Sequence, residues 1–218
     1  MFTGIIEAVG RVAASQMRQG DLRLRIETGG LDLSDVAVGD SIAVNGVCLT
    51  AVELPGDGFW ADVSAETLGR SLLGDYGPGT RVNLEKSLLP TTRLGGHLVS
   101  GHVDGVGAVL DRLEEARSVR FRIRAPDALA RFLAEKGSVS IDGTSLTINA
   151  VEGAVFDVNI VPHTLNHTVI EGYRPGTGVH LEVDVIARYL ERLLLGADAA
   201  GATSKLTLDG LRRSGFAQ

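Results

Sequence analysis

The chain repeats itself. Displaced by 97 residues, the sequence aligns with itself without a gap: "SIAVNGVCLT" (41–50) falls on "SVSIDGTSLT" (138–147), and "YGPGTRVNLE" (76–85) on "YRPGTGVHLE" (173–182). In the second pair Tyr, Pro, Gly, Thr, Val, Leu and Glu coincide. Phe59 meets Phe156, and Thr67 and Leu68 meet Thr164 and Leu165. At the front, "TGIIEAVGRV" (3–12) meets "SGHVDGVGAV" (100–109), so the second copy begins inside the glycine-rich stretch "GGHLVSGHVDG". Two copies of this length are too few and too long for a solenoid. The chain is therefore constrained to fold as a duplicated domain.

Each copy reads as short antiparallel strands. Asn45-Gly46 and Asp142-Gly143 sit between alternating apolar runs, and both turn residues tolerate the positive φ of a tight hairpin. Further strands are expected at 5–13, 22–28, 58–63 and 80–85, with counterparts in copy two. Closing such strands into a small barrel removes exposed edges. "SAETLGRSLLG" (64–74) predicts a short helix or helical turn, and "DALARFLAEKG" (127–137) a helix capped by Asp127. "DVIARYLERLLLG" (184–196) predicts a helix that Asp184 can cap, with an apolar stripe of Val185, Ile186, Tyr189, Leu190, Leu193 and Leu194 that needs a partner, either a barrel or, the favoured reading, another subunit. The small, polar tail beyond it is expected to be loosely ordered. The domain boundaries follow as 1–97, 98–183 and 184–218.

A net charge of −6 gives no reason to expect nucleic acid. No stretch approaches the ~18 apolar residues that span a bilayer. The start lacks the basic region of a signal peptide, and the single cysteine, Cys48, fits a reducing cytoplasm.

Five histidines raise the question of a metal. "HLVSGH" and "HTLNH" lack cysteine partners and any HExxH, and the repeat puts Glu66 and Arg70 opposite His163 and His167, so no metal site is expected. His97, His167 and His180 are expected at the surface or in turns. Cys48 and Thr50 share one strand face, against Val47, Leu49 and Ala51 on the other, and Ser145 and Thr147 repeat that row. A polar row found twice points to a pocket in each copy. "GVGAVL" and "GPGT" lack the context of phosphate loops. The alternating arginines of "RSVRFRIR" (117–124) read as the wet face of a strand.

Together "MFTGIIE", "NGVCLT", "DGTSLT", "LGGHLVSGHVDG", "PHT", "EVDVIARYLERL" and "LTLDGLRRSGF" resemble the riboflavin synthase family of the alpha-chain type, in order and over nearly the whole chain. The resemblance implies an all-β fold of two homologous six-stranded antiparallel Greek-key barrels plus a C-terminal α-helix that assembles a homotrimer. It implies dismutation of two molecules of 6,7-dimethyl-8-ribityllumazine to riboflavin and 5-amino-6-ribitylamino-uracil, the last step of riboflavin biosynthesis, without cofactor or metal. It also implies lumazine synthase as a partner, and no membrane or nucleic acid. Cys48, Leu49 and Thr50, and Ser145, Leu146 and Thr147, are implied to meet the ring. Asp62, Val63, Ser64, Ala65, Glu66 and Thr67, and Asn159, Ile160, Val161, Pro162, His163 and Thr164, are implied to meet the ribityl chain. Gly4, Ile5 and Ile6, and Gly101, His102 and Val103, are implied to close the pockets, and Lys136 matches a family lysine implied to reach into a neighbouring subunit's site. His102 is the expected proton-transfer base. Ser41 and Cys48 match family positions implied to activate water or add to the ring, Phe2 is expected either to shape the site or to be ordinary N-terminal packing, and Asp184 either matches a family acidic residue near the site or caps the helix. The repeat breaks symmetry at Ile5/His102, Cys48/Ser145, Glu66/His163 and Gly39/Lys136, the pairs expected to separate donor from acceptor. Two rivals are a lumazine-binding antenna protein without turnover and a reductase barrel. The first conflicts with the intact "DGTSLT" and "NIVPHT" of copy two, and the second requires a nucleotide-binding domain for which the chain leaves no room.

Overall fold

A computed structural model describes residues 1–18 and 20–196. Copy one supplies β1 (Ala8–Arg18), β2 (Asp21–Glu27), β3 (Ser41–Val44), β4 (Val47–Thr50), β5 (Gly58–Val63) and β6 (Arg81–Lys86). Copy two supplies β7 (Gly105–Glu115), β8 (Ser118–Arg124), β9 (Ser138–Ile141), β10 (Thr144–Glu152), β11 (Val155–Ile160) and β12 (Gly178–Val183). Among the described residues, three short α-helices are α1 (Ala65–Arg70), α2 (Pro162–His167) and α3 (Val185–Leu194). The first strand starts later than its apolar pattern suggests, because Gly4–Glu7 are used for a loop at a site described below.

Copy two is a closed antiparallel barrel in the order β10-β11-β8-β7-β12-β9. Strands β9, β10 and β11 follow one another as hairpins, and β8 lies beside β11, which is Greek-key wiring. Copy one repeats the order as β4-β3-β6-β1-β2-β5. Its two outer strands meet through a single bridge, Glu53 to Trp60, at the position where copy two pairs Ala150 with Asp157. Pro55 stands where copy two has Glu152, which pairs with Val155. Proline has no N–H to give a ladder, so the hairpin that finishes barrel two is cut short in copy one.

Burial alternates as the strands demand. In β8, Val119, Phe121 and Ile123 are buried while Arg120, Arg122 and Arg124 pair outside with Glu115, Glu152 and Asp127. Leu24, Ile26, Ile42, Phe59 and Leu84 fill one core, and Phe121, Ile141, Ile148 and Phe156 the other. Each such side chain stabilises its barrel by about 1.5–3 kcal/mol. Both hairpin turns are as expected, with φ of 44° and 78° at Asn45-Gly46 and 43° and 81° at Asp142-Gly143.

The segment expected as a helix from Asp127 is instead a 3₁₀ helix, Asp127–Phe132. Pro126 precedes it without a side-chain cap, and the Asp127 carboxylate turns to Arg124. Leu129 and Leu133 anchor it in the core, and the extended backbone of Leu133 (φ −90°, ψ 124°) ends it.

The barrels meet along a seam made by the two hairpin tips. A Cβ on Gly46 would lie 2.6 Å from the amide nitrogen of Gly143, and one on Gly143 2.8 Å from that of Gly46. Around them runs a buried polar network with approximate two-fold symmetry. On one side the Asn83 amide donates to Asn45 Oδ1 (2.7 Å) and Asn45 Nδ2 to Tyr76 Oη (2.9 Å). Asn83 Nδ2 donates across to the Asp142 carbonyl (2.9 Å), and Asn83 Oδ1 accepts from the Val169 amide (2.8 Å). On the other side Asp142 and His180 do the same work. Asp142 Oδ1 accepts from the His180 amide (2.8 Å) and Oδ2 from the Tyr173 hydroxyl. His180 Nδ1 meets the Asn45 carbonyl (2.7 Å), and Nε2 accepts from the Leu72 amide (2.7 Å). Those partners require a neutral ring with its proton on Nδ1. His180 is 1% exposed and His97 9%, so neither is the surface histidine its sequence context suggests.

The chain divides after Val185 into two compact units. Of the second, α3 is the described element. Ile186, Tyr189, Leu190, Leu193 and Leu194 on it are exposed. The polar tail and "LTLDGLRRSGF" lie outside the described residues. No helix among the described residues is long and apolar enough to cross a membrane.

Candidate active sites

The polar row forms as its alternation requires. Cys48 is half-buried and Thr50 exposed, while Val47, Leu49 and Ala51 enter the core. Ser145 and Thr147 repeat this on β10. What the sequence did not reveal is how the closing loops are assigned. The Cys48 amide donates to the carbonyl of Gly101 (2.8 Å), and the Ser145 amide to that of Gly4 (2.8 Å). Each barrel's row is therefore covered by the loop of the other copy. Both glycines have positive φ, +76° at Gly4 and +80° at Gly101. A Cβ would stand 2.6 Å from Ser145 Cβ in one and from Cys48 Cβ in the other, so only glycine fits.

At the first site Val47, Cys48, Glu66, Thr67, Arg70, Ser71, Gly101, His102 and Val103 line a cavity of about 220 Å³. Helix α1 begins at Ser64, whose Oγ accepts from the Thr67 amide (3.3 Å), and this cap aims Glu66, Thr67 and Arg70 at the row. Glu66 and Arg70 form an ion pair on the rim (2.9 Å). A thiol and an imidazole thus face the same cavity, with acceptors and donors beside them for a polyol. Phe2 is fully buried against Ala43, Val99 and Cys48, and supports the site from beneath.

The second site uses the equivalent positions with different chemistry. Ser145 replaces Cys48, and Ile5 stands where His102 is. His163 and His167 replace the ion pair, their rings stacked at 4.2 Å. His97, from the segment 87–97 that connects the two copies, has no counterpart in the first site, and its Nδ1 lies 2.7 Å from Ser145 Oγ. Its Nε2 is buried without a partner. Burial holds its pKa below the usual histidine range, with the Asp184 charge opposing. The close approach needs Gly96, where a Cβ would lie 2.2 Å from the Thr3 carbonyl oxygen.

Other expected residues divide by orientation. Asp62, Ser64, Ala65, Asn159, Val161 and Pro162 are exposed at the sites' outer edge, and Thr164 is half-buried. Leu49, Val63 and Ile160 are core side chains, and Leu146 packs against the core, so these four offer only backbone groups to a ligand. Lys136 is exposed and adopts φ of +65°, where copy one has Gly39. Ser41 does not line the Cys48 cavity. It lines a larger one of about 560 Å³ with Thr3, Ile5, Glu85 and Lys86.

Two residues escaped the sequence reading. Glu182 is buried and accepts from the amides of Ser100 (2.6 Å), Gly101 (2.9 Å) and His102 (3.0 Å). Glu85 accepts from the Thr3 amide (2.6 Å), the Thr3 hydroxyl (2.6 Å) and the Gly4 amide (3.0 Å). Burial raises the pKa of both, against the pull of these bonds. The signal was present: both glutamates end the ten-residue stretch in which seven positions coincide between the copies.

The lumazine binding domain model matches residues 3–87 and again 100–184. Riboflavin synthase of Photobacterium phosphoreum is 50% identical over 216 residues, covering 99% of each chain. That of Photobacterium leiognathi is 49% identical with the same coverage. That of Bacillus subtilis is 36% identical over 99% of this chain and all of its own. The fold is similar to LumP complexed with riboflavin (TM-score 0.78, 24% identity) and with 6,7-dimethyl-8-(1'-D-ribityl) lumazine (TM-score 0.76, 23% identity), each covering 84% of this chain and 99% of that one.

Proposed function

The chain belongs to the riboflavin synthase family, and from that membership we propose that it converts two molecules of 6,7-dimethyl-8-ribityllumazine into riboflavin and 5-amino-6-ribitylamino-uracil. The observation that carries this reading is the pair of quasi-equivalent sites with unequal side chains. A dismutation uses one compound in two roles, as donor and as acceptor of a four-carbon unit. Twin sites bind the shared skeleton, and their differences separate the roles. Holding the two molecules in register supplies on the order of 7–11 kcal/mol of the barrier through proximity and orientation.

In this reading His102 removes a proton from the acidic C7 methyl of one lumazine beside Cys48. Ser145, bonded to His97, faces the other. The main-chain groups of the two rows hold the rings, and the segments Asp62–Thr67 and Asn159–Thr164 meet the ribityl hydroxyls. Asp184, whose charge reaches His97, belongs to the second site. A cavity of 220 Å³ is smaller than the ~300 Å³ at which pockets for such ligands begin, which supports a wall supplied by a second copy. The exposed apolar stripe of α3 supports a homotrimer, with 1–97 and 98–183 as the binding halves and 184–218 as the oligomerisation segment. We place the enzyme in the cytoplasm, where lumazine synthase would supply its substrate.

The test is incubation of the purified protein with 6,7-dimethyl-8-ribityllumazine alone, followed by absorbance and fluorescence. Riboflavin formed over many turnovers is expected. A stable fluorescent complex with no riboflavin would replace the enzyme by a carrier.

A further inference from the structure

We propose that Glu182 and Glu85 are positioning residues for the reaction, each set in one barrel and acting on the site of the other. The proposal rests on the lumazine-site reading above. Glu182 is on β12 of copy two, yet the loop it holds covers Cys48 of copy one. Glu85 is on β6 of copy one, and its loop covers Ser145 of copy two.

The geometry is a relay through one peptide unit. Glu182 Oε2 accepts from the Gly101 amide, and the Gly101 carbonyl accepts from the Cys48 amide. In the second site Glu85 Oε2 accepts from the Gly4 amide, and the Gly4 carbonyl accepts from the Ser145 amide. Each loop is clamped from both sides at the one residue that can approach the row. Ser100, Gly101 and His102 turn successive N–H groups onto one carboxylate, an arrangement that suits an anion. A carboxylate has only acceptors, so it can meet all three, whereas an amide of the same size would turn an NH₂ group against an N–H.

The relays differ in one respect. His102 is bonded directly to Glu182. Ile5, its counterpart, is held through the Thr3 hydroxyl, which donates to Glu85 and accepts from the Ile5 amide (3.1 Å). The histidine of the first site is therefore fixed by a carboxylate at its own backbone, and the isoleucine of the second through a neutral intermediary.

The chain contains a single cysteine, Cys48, and it lies in the first site. Protection of that thiol from alkylation by bound riboflavin reads the first site alone. For E182Q, the riboflavin concentration giving half-protection is expected to rise at least about tenfold, with turnover reduced. For E85Q, half-protection stays within about twofold of wild type while turnover falls. E182D, which keeps the charge but cannot span three amides, shifts in the same direction as E182Q. T3V, which removes the intermediary without touching a carboxylate, behaves like E85Q. These two variants answer the question should a glutamine variant fail to fold. A merely structural role would move both variants' protection alike. Equal protection in wild type and E182Q, or an equal shift in E85Q, overturns the positioning roles. Wild type left unprotected by riboflavin overturns the site reading itself, and the positioning roles with it.

Discussion

Replacing His180 tests whether the seam between the barrels works as two copies of one network. The ring is 1% exposed and satisfies two main-chain groups, the Asn45 carbonyl and the Leu72 amide, each at 2.7 Å. In H180A both lose their partner. A buried or half-buried polar group left unpaired costs about 1–3 kcal/mol. Adding the space left by the ring, the expected loss is about 3–5 kcal/mol. In H180N the outcome differs, because Asn83 already does the equivalent job in copy one, giving Nδ2 to the Asp142 carbonyl and taking the Val169 amide on Oδ1. The new amide keeps the bond to Asn45 and reaches Leu72 less well, for a loss of about 1 kcal/mol. Urea unfolding of the three proteins, followed by tryptophan fluorescence and circular dichroism, measures both differences. If H180N loses as much as H180A, the two halves of the seam are not interchangeable and the reasoning fails.

His97 predicts an acid limb. Burial lowers its pKa in the fold, so the folded state prefers the neutral ring. The contribution is complete above the unfolded value of 6.5 and is lost as pH falls through the folded pKa, because the unfolded chain takes up the proton first. Stability measured from pH 7.5 to 5 should fall accordingly, and H97Q should flatten that slope. Asp142 predicts the opposite trend: burial raises its pKa, so its ionised form costs stability as pH rises through the folded value. D142N, with Asn45 as its template, should hold within about 1 kcal/mol of wild type at pH 7 and gain on it as pH rises above the unfolded value of 3.8 in urea titrations. G101A should cut turnover by at least about a hundredfold, since the new methyl collides with Cys48, with the thermal midpoint showing that the barrels persist.

The repeat and the paired hairpin signals make the architecture legible in the sequence, because Asn-Gly and Asp-Gly leave a chain few alternatives. The polar rows were legible for the same reason, as alternation decides which face Cys48 and Ser145 occupy. The crossing of the loops was not. An alignment of the copies says that Gly4 and Gly101 are equivalent but not which barrel each covers, since that depends on the seam. His97 and His180 were misread because they lie in polar, glycine-rich or strand-end contexts, and their burial comes from contacts across the seam or with Ser145. The expected helix over 127–137 is only a 3₁₀ turn because Leu133 is extended and Lys136 takes a positive φ, which its apolar pattern does not record. The glutamates were overlooked because a buried carboxylate is unusual, although the identity of Glu85 and Glu182 between the copies marked them.

The exchange of loops has a consequence for how this molecule can change over time. A substitution near Gly4 in one half alters the chamber of its sibling, so neither half is free to drift by itself. Innovation is confined to places such as the connector histidine, which touches one chamber and has no twin to answer to.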